Sequence, residues 1–60
     1  SAIERLAAMN PRQARIIECR FFAGMTIEET ATVLEISPAT TKREWTLLRH
    51  WLGRELGRST

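Results

Sequence analysis

Apolar positions recur along this chain at helical spacing. The clearest run lies in Ser37-Pro38-Ala39-Thr40-Thr41-Lys42-Arg43-Glu44-Trp45-Thr46-Leu47-Leu48-Arg49-His50-Trp51-Leu52. At about 100° per residue, Thr41, Trp45, Leu48 and Leu52 fall on one stripe and Ala39, Lys42, Arg43, Thr46 and His50 on the opposite one. Ser37 is a cap for this helix, because its hydroxyl accepts from the open amides of the first turn. Pro38 suits the first helical position, where no N–H is needed. Upstream, Ile3, Leu6 and Ala7 have the i, i+3, i+4 spacing of a short first helix, which Asn10-Pro11 breaks. Asn10 then caps a second helix over about 11–22. Its stripe is Ala14, Ile17 and Phe21, with Ile16, Cys19 and Phe22 beside it, and Gly24 is its stop. Thr26-Ile27-Glu28-Glu29 is a capping box, a hydroxyl followed three residues later by a carboxylate. It predicts a third helix over 27–34, with Ile27, Thr30, Ala31 and Leu34 inward. The fourth helix runs over about 38–55 and fades near Gly53 or Gly57. Gly57-Arg58-Ser59-Thr60 reads as a frayed end. No strand, repeat or low-complexity segment is expected.

The predicted fold is all-α, a small four-helix domain. Helices of about eight and fifteen residues joined by about three form a helix-turn-helix. Ala31 is small where those two helices cross, and Ile36 is apolar inside the turn, able to plug the core. Pattern alone also fits any small helical bundle with a tight corner.

Composition bounds the remaining choices. The 60 residues make one domain at most. A chain of this size buries only about 60% of the surface its unfolded form exposes. The single cysteine, Cys19, has no intrachain partner and reads as a small buried apolar residue; no Cys/His cluster has metal-ligand spacing. No apolar run is long enough for a membrane span, and there is no signal-peptide pattern, which points to the cytoplasm. No glycine-rich phosphate loop or acid–base pair suggests an enzyme, His50 stands alone, and no cofactor is expected. Charge adds one positive clue. Residues 1–37 carry four Arg and five Glu, a balance of −1, whereas 38–60 carry Lys42 and four Arg against Glu44 and Glu55, a balance of +3. The positive charge therefore sits on the last helix, as a polyanion partner requires, although a solvated helix face would look the same.

Three blocks carry a resemblance: Pro11-Arg12-Gln13-Ala14-Arg15, Arg20-Phe21-Phe22-Ala23-Gly24-Met25-Thr26-Ile27-Glu28-Glu29-Thr30-Ala31, and Ser37-Pro38-Ala39-Thr40-Thr41-Lys42-Arg43-Glu44-Trp45. Their joint spacing resembles region 4 of a bacterial extracytoplasmic-function (ECF) sigma factor over about residues 3–56. The resemblance implies recognition of the minus-thirty-five promoter element by the last helix, and docking on the β-subunit flap of RNA polymerase. It admits an anti-sigma factor as a further partner, and it makes the chain one domain of a longer protein. Carried residue by residue, it assigns Lys42, Arg43 and Thr46 to the major groove, Thr40 and Arg49 to flanking phosphates, and Thr26 to the sugar-phosphate strand. Ser37 and Ala39 stand where first-turn amides meet phosphate. The outward stripe supports Lys42, Arg43 and Thr46 independently, and Arg43 is the residue suited to bidentate contact with guanine.

Two positions depart from the family pattern. Glycine is usual where Glu35 stands, at a turn position that often has positive φ. Valine is usual where Thr41 stands, so a buried hydroxyl there needs a partner such as the carbonyl one turn back. Trp45 is assigned to the core and Trp51 to its edge. Phe21 and Phe22 cannot both point inward in so thin a domain; one is expected to help form the flap-binding groove, the rim of the core being the alternative. Two other function classes stay open: the helix-turn-helix output domain of a LuxR-type response regulator, and a protein-interaction bundle that mimics region 4 without reading DNA.

Overall fold

The computed structural model describes residues 2–58; Ser1, Ser59 and Thr60 lie outside the described residues, and the frayed end expected at 57–60 falls partly among them. Four α-helices follow one another: α1 (Ala2–Met9), α2 (Pro11–Ile17), α3 (Ile27–Leu34) and α4 (Pro38–Arg58). There is no strand among the described residues. At 1.5 Å per residue, the 21-residue α4 alone is about 31 Å long, which accounts for the 33 Å longest dimension.

The helices α2, α3 and α4 begin where the local chemistry predicts. Asn10 Oδ1 accepts from the Gln13 amide (3.2 Å) at the start of α2. At α3, the Thr26 hydroxyl accepts from the Glu29 amide (3.0 Å) while the Glu29 carboxylate accepts from the Thr26 amide (2.9 Å), so the capping box is complete. At α4, the Ser37 hydroxyl accepts from the Thr40 amide (3.1 Å).

The middle of the molecule is α2, which packs against α1, α3 and α4. Ile16 and Ile17, both at 0% exposure, meet Leu48 and Leu52 of α4. Ile3, Leu6, Leu34, Ile36, Trp45 and Trp51 close around this cluster from its edges. The α4 stripe of Thr41, Trp45, Leu48 and Leu52 is therefore the anchoring side. Thr30 and Ala31 are buried on the inner face of α3, and Cys19 is buried and free. The Thr41 hydroxyl donates to the Ser37 carbonyl (2.9 Å), which removes the cost of burying it. Thr30 is less well served, since its buried hydroxyl oxygen has no partner.

Three expectations need correction. The second helix is not one α-helix over 11–22: α2 ends at Ile17 and continues as a π-helical turn, Glu18–Phe22, closed by the Ala23 amide on the Glu18 carbonyl (2.9 Å). The wider turn takes Phe21 off the stripe set by Ala14 and Ile17. Phe21 and Phe22 are 52% and 65% exposed and pack edge to face on each other, ring centroids 5.1 Å apart. Secondly, Ala7 is exposed; only Ile3 and Leu6 of that triplet turn toward the core. Thirdly, α4 passes through Gly53 and Gly57 to Arg58 rather than stopping near 55. Each glycine costs about 1 kcal/mol relative to alanine there; at Gly53 the burial of the preceding Leu52 against α2 offsets that cost.

The turn between α3 and α4 carries the strain that its sequence implied. Glu35 has φ 58° and ψ 42°, a left-handed conformation, and its amide and that of Ile36 close the helix end on the Thr32 and Ala31 carbonyls. A side chain there costs on the order of 1 kcal/mol. Glu35→Gly is therefore expected to stabilise the domain by about that much, raising the thermal midpoint by about 4–8 °C. A thermal melt followed by circular dichroism checks this; an unchanged or lower midpoint would mean that the turn carries no strain.

Candidate nucleic-acid interface

The side of α4 opposite the core carries the candidate site. Ala39, Lys42, Arg43 and Thr46 are all exposed, and together with Leu47 they line one shallow hollow on the helix surface. Neither Lys42 nor Arg43 forms an ion pair with another described residue, so both cations face solvent. Arg49 is exposed further along α4, outside the hollow. Ser37 and Thr40 stand at its N-terminal end, joined by a hydrogen bond of 2.9 Å from the Ser37 hydroxyl to the Thr40 hydroxyl. Thr26 is exposed on a different element, as the cap of α3.

Hydrogen-bond inventory separates these residues by what they have left to offer. Ser37 has its proton committed to Thr40, and it already accepts the Thr40 amide. Its work is to hold the first turn. Thr46 donates to the Lys42 carbonyl (2.9 Å), so its outward assets are a lone pair and a methyl group. Thr40 accepts from Ser37 and keeps its own proton. Thr26 accepts from the Glu29 amide and likewise keeps its proton. Thr26 and Thr40 can thus donate to a phosphate oxygen, whereas Ser37 and Thr46 cannot. In the first turn of α4, Pro38 has no N–H, Thr40 is capped and the Thr41 amide is bonded to the Ser37 carbonyl (3.0 Å), which leaves the Ala39 amide.

Two side-chain contacts that helical spacing does not predict hold this face in place. Arg12, at the start of α2, pairs with Glu44 of α4 at 2.5 Å; their side chains are 51% and 13% exposed. The pair compensates the acid adjacent in sequence to Arg43, which would otherwise repel an anionic ligand. Arg20 lies with its guanidinium 5.3 Å from the centre of the Trp45 ring and donates to the Met25 carbonyl. It ties the π turn and the loop that follows it to α4. Helical spacing also left Leu47 unassigned. It is 66% exposed, one turn beyond Arg43 on the same side of α4.

No helix among the described residues is long and apolar enough to cross a membrane, and none of their His, Cys, Asp and Glu side chains cluster in a group that could hold a metal ion. No curated protein and no solved structure matches the chain. A sequence model of the family described as ECF sigma factor matches residues 1–58. That match decides against the LuxR-type alternative, and the family is one of transcription-initiation proteins that work with RNA polymerase and promoter DNA, not one of enzymes. From its capping box to its two-sided final helix, matched over nearly its whole length, the chain belongs to the ECF sigma factor family.

Proposed function

We propose that this chain is the promoter-reading domain, region 4, of a longer sigma factor. It recognises the minus-thirty-five element through the outward side of α4. The carrying observation is that Lys42 and Arg43 are exposed on the helix whose other side, Leu48 and Leu52, is buried in the core. The N-terminal half of α4 enters the major groove. Arg43 pairs with guanine, Lys42 reaches a base or a phosphate, and Thr46 presents its methyl and lone pair. Thr26, Thr40, Arg49 and the Ala39 amide hold the sugar-phosphate strands, and Ser37 maintains the turn that aims them. The same exposure of Lys42 and Arg43 argues against a bundle that only mimics region 4.

The exposed Phe21–Phe22 pair sits beside a hollow lined by Arg15, Glu18, Cys19, Phe22 and Ala23. Adjacent exposed aromatics mark a protein-binding surface. We assign this one to the β-subunit flap of RNA polymerase, with an anti-sigma factor as a competitor for it.

Affinity of the isolated chain for duplex DNA is expected to be weak and strongly salt-dependent. Neutralising two or three phosphates releases as many counterions, so raising salt from about 50 to about 200 mM should weaken binding roughly 10- to 40-fold. Fluorescence anisotropy with a labelled duplex measures this. Affinity that does not change with salt would rule out a phosphate-binding face.

A further inference from the structure

The hollow on α4 has apolar walls and a cationic rim. Ala39, Thr46 and Leu47 supply carbon, and Lys42 and Arg43 supply donors. Single exposed leucines are ordinary on protein surfaces. Leu47 differs from the other exposed apolar residues (Met9, Phe21, Phe22, Val33 and Leu56) in sharing a hollow with the two outward cations. Thr46 reinforces the point, because its hydroxyl proton is held by the Lys42 carbonyl.

A hollow of this kind suits an apolar group flanked by a hydrogen-bond acceptor on an anionic polymer. In the major groove that description fits one base edge. Thymine presents its C5-methyl next to the O4 acceptor. A methylated cytosine would offer the same methyl beside an amino donor, which the cationic rim disfavours. We propose that Leu47, with Ala39 and the Thr46 methyl, forms a pocket for a thymine methyl, and that Leu47 is a specificity-determining residue of this chain. The proposal rests on the DNA-reading function above. Leu47 is four residues, about 6 Å along the helix, from Arg43. With bases spaced about 3.4 Å apart, the thymine lies within about two base pairs of the guanine that Arg43 reads.

The test begins with duplexes enriched by the full chain from random-sequence DNA at low salt. Each thymine of the enriched site is then replaced by uracil, which removes only the methyl, and by 5-methylcytosine, which keeps the methyl and exchanges the acceptor for a donor. For one thymine near the guanine, uracil should weaken binding about fourfold, the value of one buried methyl group; 5-methylcytosine there should not restore it. Leu47→Ala should bind the thymine and uracil duplexes alike, and Leu47→Met should keep the difference. Circular dichroism confirms that both variants, altered at an exposed position, remain helical.

If every thymine tolerates uracil, or if Leu47→Ala weakens both duplexes equally, the methyl pocket is refuted while DNA reading stands. If 5-methylcytosine restores binding, the occupant is any C5-methyl, and the assignment to thymine fails. If the chain enriches no sequence at all, the DNA-reading function fails and the pocket with it.

Discussion

Ile17→Ala is expected to leave the domain largely unfolded at room temperature. Ile17 is fully buried, in a cluster with Ile16, Leu48 and Leu52 that joins α2 to α4. Deleting such a side chain costs about 2–5 kcal/mol, the lost transfer energy plus the cavity left behind. A domain of this size, without disulfide or metal, has a net stability of only about 3–5 kcal/mol. At the middle of both ranges, about 3.5 against about 4 kcal/mol, one substitution removes nearly all of it. Circular dichroism should show a large loss of helical signal and no cooperative melt above room temperature. A cooperative melt close to that of the parent chain would mean that the cluster between α2 and α4 is not where the fold is held. DNA binding should disappear together with the helical signal, because α4 is presented only through its buried side.

Arg43→Ala is expected to act on recognition instead. Arg43 is exposed, so the fold should be untouched. Losing a bidentate contact to guanine costs about 1–3 kcal/mol, roughly 5- to 150-fold in affinity for the preferred duplex. Affinity for unrelated duplexes should fall much less. The variant thus loses preference more than it loses binding. Lys42→Ala gives the comparison: where Lys42 serves a phosphate, the loss is similar on every sequence and the salt dependence becomes shallower by about one counterion. Equal losses on all sequences for Arg43→Ala would reduce Arg43 to the same phosphate role.

Local signals carried much of this fold into the sequence. Asn10, Thr26 and Ser37 are caps that act within three residues of themselves, and all three are visible as patterns and present as hydrogen bonds. The two sides of α4 were also legible, because helical period alone sorts Leu48 and Leu52 from Lys42 and Arg43. The strain at Glu35 was readable as a residue at odds with its turn, and the structure puts it in the left-handed region.

Non-local features were not legible. The Arg12–Glu44 pair spans 32 residues, and no spacing rule on a single helix joins them. The contact of Arg20 with the Trp45 ring depends on how the π turn lies against α4. The π turn shifts the helical phase after Ile17, so a stripe counted at constant period assigns Phe21 to the core when it is exposed. At the other end, Gly53 and Gly57 look like stops because glycine is a poor helix former, yet neither adopts positive φ and the helix passes through both. Leu47 escaped notice for a different reason. It lies one turn from Arg43 but toward the border between the basic and apolar stripes, and the surface hollow is what groups it with both cations.

A helix bolted down along one flank and open to nucleotides along the other makes a direct spectroscopic prediction. In a nuclear magnetic resonance spectrum of the chain bound to its preferred duplex, base protons of the major groove should show contacts to the side chains of Arg43 and Thr46, and none to Thr41, Leu48 or Leu52. Contacts to those buried side chains, or a bound complex in which no residue of α4 touches a base proton, would contradict the account.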